Sequence, residues 1–133
     1  MPPFVMKEDG QALTREREGV WVDYMEGQLL IARIGNPHNQ KVFAKHRQPY
    51  KRQLLRGTVA QDVQAKIVCK TYAESILLGW RGIKDDEGNE LKYTTELAEQ
   101  VLLNDIDLRE FVESVGQESA TFREEEIKET AKK

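Results

Sequence analysis

Cys69 is the only cysteine in the 133 residues, so any thiol nucleophile would have to be this one. A reactive thiol needs a base within reach, and the chain offers only His38 and His46. Cys69 stands among Ile67, Val68, Tyr72 and Ala73, a setting that suits a small buried hydrophobe. A lone cysteine also rules out an intrachain disulfide. His38 and His46 have no cysteine pair nearby, whereas zinc ligands usually come in close-spaced pairs. The run Asp85-Asp86-Glu87-Gly88-Asn89-Glu90 has the look of a calcium loop. With Gly88 in the glycine slot, however, the first and last ligand positions fall on Ile83 and Thr94, neither a carboxylate. The acidic residues of the last third, such as Glu99, Asp105, Asp107, Glu110 and Glu113, would need burial to raise their pKa for acid catalysis. Their positions read instead as solvated helix faces. No glycine-rich phosphate loop is present. The expectation is a non-enzymatic protein with no catalytic residues, no cofactor and no metal.

Charge is unevenly distributed. Residues 1–60 hold ten Lys+Arg against six Asp+Glu, and residues 61–133 hold ten against seventeen. No acid occurs between Glu26 and Asp62. That window carries Lys41, Lys45, Arg47, Lys51, Arg52 and Arg56, interleaved with Phe43 and Tyr50. Such a stripe suits phosphate contacts, and a small nucleic-acid-associated protein using residues 33–56 is the alternative reading. The pI near 5.5 and the lack of a helix-turn-helix or RNA-binding signature weigh against it. A surface for an anionic protein, or for a second copy of the chain, fits the asymmetry better. The candidate protein-contact residues are therefore Trp21, Tyr24, Lys41, Lys45, Arg47, Lys51, Arg52, Trp80 and Arg81.

These residues must be positioned by one modest core. The chain is 39% hydrophobic and 32% charged, with a mean hydropathy of -0.64, and its length fits a single domain. No apolar run approaches the roughly 18 residues of a membrane span, and MPPFVMKEDGQ lacks a signal-peptide core. A cytosolic protein without membrane contact is expected. Residues 1–18 read as a flexible polar arm. Residues 19–34 alternate as a hairpin turning at Glu26-Gly27. Asn39 is placed to cap a helix to about Gln48, which Pro49 breaks. A basic piece follows from Tyr50 to Arg56, with Phe43, Tyr50, Leu54 and Leu55 as its core contacts. The best helix runs from about Val59 to Leu78, with Ala65, Val68, Cys69, Tyr72 and Ala73 on one broad arc and Gln64, Lys70, Thr71, Glu74 and Ser75 opposite. Gly79 stops it, and Trp80 pins its end. A polar turn at Asp85–Asn89 precedes a helix from Thr94 or Thr95 to about Leu103. Asp107 and Glu110 form a capping box for a helix ending at Gly116, and Thr121 with Glu124 repeats it. The expected fold is mainly α with a small N-terminal β-hairpin (α+β), a single compact helical domain over residues 19–116, and an acidic C-terminal helix over 117–133.

From Trp21 to about Ile127 the chain resembles the tail assembly chaperones of long-tailed, lambda-like phages. The features occur in order: Ile76-Leu77-Leu78-Gly79-Trp80-Arg81-Gly82-Ile83, the Asp86-Glu87-Gly88 turn, Tyr93-Thr94, and Asp107-Leu108-Arg109-Glu110-Phe111-Val112. The resemblance implies a protein that coats the long, helical tape measure protein, keeps it soluble, and helps recruit tail tube protein. It then leaves, so it acts in the host cytoplasm and is not part of the mature virion. Self-association is compatible with such coating. The family often has a second, frameshifted form, and Lys132-Lys133 would permit an A-rich slippery codon pair.

Overall fold

The computed structural model describes residues 15–118 and Phe122. Val20, Val22 and Tyr24 alternate with Trp21 and Asp23, which gives a strand two different faces. This strand, β1 (Val20–Tyr24), pairs antiparallel with β2 (Gly27–Ile31), with Tyr24 opposite Gly27 and Val20 opposite Ile31. The turn is thus Met25-Glu26, one residue earlier than the sequence suggests. Met25 takes a positive φ of 51° as its first residue. Gly27 is required for a different reason. A Cβ there would lie 2.4 Å from the Arg81 carbonyl oxygen and 2.7 Å from the Gly82 carbonyl carbon, distances no side chain tolerates.

That close approach exists because the sheet has a third strand. The expected class, mainly α with a hairpin confined to the N-terminus, does not hold. The protein is α+β around a three-stranded antiparallel sheet of order β1-β2-β3, and β3 (Leu77–Arg81) comes from the middle of the chain. The long helix ends at Ser75 rather than Leu78. Gly79 is no helix stop: it lies within β3, opposite Leu30. Helical periodicity cannot distinguish a last helical turn from a short strand when every residue is apolar. The decision is tertiary: β2 offers an unpaired edge, and Leu77–Arg81 satisfies it. Leu29 faces Trp80, and Gln28 faces Arg81. A bulge at Leu78 opposite the Leu30/Ile31 step keeps Leu77 and Trp80 on the inner face with Leu29 and Ile31.

The helices pack on that inner face. They are α1 (Pro37–Arg47), a 3₁₀ turn (Gln48–Tyr50), α2 (Lys51–Arg56), α3 (Gln61–Ser75), α4 (Thr95–Asn104) and α5 (Ile106–Gln117). Helix α3 is central, packed on α1 and on α4. Its second buried side carries Thr71 and Ser75, which the apolar-arc reading places on the polar face. Their hydroxyls donate to the carbonyls of Ile67 and Thr71, at 2.7 and 2.6 Å. The core joins Leu29, Ile31, Cys69, Ala73, Ile76, Leu77, Trp80, Ala98, Leu102 and Val112. Thr94 caps α4 through the Leu97 amide, and Asp105, not Asp107, caps α5 through Leu108. Arg109 of α5 donates to the Leu102 and Leu103 carbonyls, tying off the end of α4. Residues 1–14 of the expected arm, the Thr121–Glu124 cap, most of the 117–133 helix and Lys132-Lys133 lie outside the described residues. Residues 15–18 form a helical turn.

Segment 32–36 is bonded to four other parts of the chain. The Ala32 amide donates to Ile76 O, Arg33 to Glu16 O, and Ile34 to Gly116 O, each at 2.8 Å. Arg33 also pairs with the Glu16 carboxylate. Asn36, not Asn39, caps α1, accepting from the Asn39 amide at 3.0 Å, while Pro37 opens the helix where no amide hydrogen is needed. The Asn36 side chain donates to the carbonyls of Arg33 and Glu16. Asn39 is buried, accepts from Gly35 N at 2.9 Å and donates to Ser75 Oγ at 2.9 Å. Replacing Asn39 by Ala removes both bonds and should cost about 2 kcal/mol in urea-induced unfolding. Lys41→Ala, exposed on the same helix, should stay within about 0.5 kcal/mol. Equal losses in the two variants would refute the network's role.

Candidate protein-binding surface

The outer face of the sheet carries Trp21, Asp23, Gln28, Leu30, Gly79 and Arg81, by the alternation of the three strands. Two candidate residues meet there. The Arg81 guanidinium lies 4.0 Å from the centroid of the Trp21 ring, a cation–π contact. Arg81 Nε donates to Gln28 Oε1 at 2.7 Å, and Gln28 Nε2 donates to Asp23 Oδ1 at 3.1 Å. Three strands are thus crossed by one polar ladder that ends on an aromatic ring. Trp21 remains 38% exposed.

The other two aromatic candidates point inward. Tyr24 lies on the inner face, its ring 4.8 Å from that of Phe111. Trp80 is buried in the core. Its ring meets Tyr93 edge-on at 4.9 Å, and its Nε1 donates to Leu91 O at 2.7 Å. The single proton of the Tyr93 hydroxyl has Leu77 O at 2.7 Å and Ala73 O at 3.1 Å.

The other five basic candidates lie on α1 and α2. Pro49 sits in the 3₁₀ turn that joins the two helices, and Gly57 ends α2 in the left-handed region. Lys45 approaches Glu74 at 3.9 Å. His46 Nε2 is 2.9 Å from the same carboxylate, an ion pair only when the imidazole is protonated. Arg47 lies over the Phe43 ring at 4.5 Å. Among the described residues, Lys41, Lys51, Arg52 and Arg56 have no carboxylate partner. Helix α2 buries no residue, and Leu55, read from sequence as a core contact, is 81% exposed. A helix of fewer than two turns, bounded by Pro49 and Gly57, has no second element packed over its leucines. An open groove of about 520 Å³ results, lined by Ala44, Arg47, Gln48, Lys51, Leu54 and Leu55. The adjacent Leu54-Leu55 pair amid cations is the sequence signal for it. A second cleft, about 440 Å³, lies between α1, α3 and α4 and includes Lys45, His46, Lys66, Lys70 and Glu99.

Burial favours the neutral form of Cys69 and Tyr72. Burial pushes the Cys69 thiol up, away from the thiolate a nucleophile needs. Tyr72 is also raised, first by burial and then by the Glu113 charge, to which it donates at 3.0 Å. Among the described residues no group of three or more His, Cys, Asp or Glu is arranged to hold a metal ion, and no helix is long and apolar enough to cross a membrane.

A small α+β protein that offers an open sheet face and a basic helical elbow is defined by surfaces. Its origin comes from comparison with known families. The chain belongs to the YdaY prophage protein family, whose profile matches residues 34–133. It is therefore phage-derived, which agrees with the origin implied by the chaperone resemblance; the family description goes no further than that origin. Curated protein sequences and solved structures give no match.

Tyr72 predicts a pH dependence. Its folded pKa lies above the unfolded value of about 10, so it adds stability below that pH and loses it as pH rises further. Urea unfolding of Tyr72→Phe should show a shallower loss of stability above about pH 10 than the wild type. An unchanged slope would show that Tyr72 is not the group responsible.

Proposed function

We propose that this phage protein is a tail assembly chaperone, a non-enzymatic factor that binds the tape measure protein and keeps it soluble. It also helps bring in tail tube protein. On this reading it acts in the host cytoplasm and leaves before the virion is complete. The observation that carries the reading is the open face of the sheet, where Trp21 stands exposed beneath Arg81. A rigid aromatic on a strand, backed by a guanidinium already held by Gln28, is a preorganised anchor for an apolar helix face. Phage origin and the ordered motifs from Ile76 to Val112 support it. Those motifs have architectural roles: Leu77 and Trp80 enter the core, Gly88 turns at a positive φ of 86°, and Arg109 closes α4. The unpaired cations of α1 and α2 favour nucleic acid as a second reading. The exposed Leu55 among them suits a protein partner better than a phosphate backbone.

Co-expression with the tape measure protein of the same phage should yield a soluble complex. Trp21→Ala should weaken it by about 2 kcal/mol, roughly thirtyfold in Kd, with the isolated fold intact. Failure of two folded proteins to associate would defeat the proposal. Tight nucleic-acid binding that falls steeply with salt would favour the second reading.

A further inference from the structure

Two exposed surfaces of this chain are complementary. On one side is the open groove between α1 and α2, whose lining includes Leu54 and Leu55 together with Arg47 and Lys51. On the other is the corner where α4 turns into α5. Ile106 projects there, 60% exposed, between Asp105 and Asp107. Asp105 is fixed, because its carboxylate caps α5 by accepting from the Leu108 amide at 3.0 Å. Glu110 is exposed one helical turn further on. Leu55 and Ile106 are two of only four large hydrophobic residues exposed among the described ones. Each is flanked by charges of a single sign, and the signs are opposite. Neither surface can pair with its own copy, since cations would meet cations and carboxylates would meet carboxylates.

We propose that the protein self-associates by a heterologous contact: the Asp105-Ile106-Asp107 corner of one copy docks in the Leu54/Leu55 groove of another. Ile106 packs against Leu54 and Leu55, and the two aspartates face Arg47 and Lys51. The occupant is a second copy because the acidic, apolar-tipped element the groove calls for is present on the same chain. A contact that joins different patches leaves one groove and one corner unused at the ends of an open assembly. The inference does not depend on the tape measure protein.

The test uses the purified full chain alone, by sedimentation and light scattering across protein concentration at low salt. The wild type should gain mass with concentration and lose it in about 1 M salt, where screening shortens to about 3 Å. Leu55→Asp and Ile106→Asp should each shift association to at least about tenfold higher concentration. Both positions are exposed, so their circular dichroism and melting should match the wild type. An equimolar mixture of the two variants should regain a dimer, since one supplies an intact corner and the other an intact groove. Lys51→Glu should weaken association as well, while Lys51→Arg preserves it. A wild type that stays monomeric throughout overturns the proposal. So does either aspartate variant that associates like the wild type, or a mixture that remains monomeric.

Discussion

Everything else in this fold depends on satisfying the backbone between Ile31 and Pro37. The chain leaves the sheet there and enters the helical layer, and all but Gly35 of residues 32–36 are buried or half-buried as it crosses. Several of them find partners on different elements: Ile76 after α3, Gly116 in α5, Glu16 before the sheet, and Asn39 of α1, which in turn holds Ser75. An unpaired buried amide costs about 1–3 kcal/mol, so misplacing any one of these elements leaves a penalty that the others cannot absorb. Gly116 shows how tight the arrangement is. A Cβ at that position would meet Ile34 Cγ1 at 2.9 Å. The crossing segment therefore sets the spacing between sheet and helices, and the apolar core fills the space so defined.

The elements visible in the sequence were those whose pattern is local. The alternation of β1, the Pro49 break, the Thr94 cap and the Gly88 turn all follow from residues close together in the chain. What was not visible depended on distant partners. Leu77–Arg81 is apolar enough for helix or strand, and only the open edge of β2 decides. Thr71 and Ser75 read as polar-face residues because their burial requires Asn39, far earlier in the chain, to be turned toward them. Both helix caps misplaced by two or three residues, at Asn36 and Asp105, were shifted toward residues that also suit a cap by type. Among the candidate contact residues, the Trp21–Arg81 pair could not be read from either residue alone, because β2 lies between their strands. Leu55 failed for the opposite reason: hydrophobicity suggested a core position, but α2 is too short to bury it.

Placing charge and exposed apolar groups side by side has a physical rationale in a protein that must bind and later release. Apolar floors supply affinity, and flanking charges supply orientation and sensitivity to salt. Among the described residues, the cations of α1 and α2 with no carboxylate partner and the carboxylates of the α4–α5 corner stand on different helices. The net charge of -3 conceals that local difference. The ladder from Asp23 to Trp21 belongs to neither group, and it gives the sheet a mixed outer face.

The late arrival of β3 has a consequence for synthesis. During translation, the hairpin of β1 and β2 emerges first, with one edge of β2 bearing unpaired amides and carbonyls. Its partner strand follows only after α1, α2 and α3 have been made. Closing a contact over that span is slow compared with forming the hairpin or the helices. For that interval the nascent chain presents an open β-edge, the kind of surface along which neighbouring chains pair incorrectly. Polysome density and expression temperature should therefore govern the yield of soluble protein more than the stability of the finished fold does.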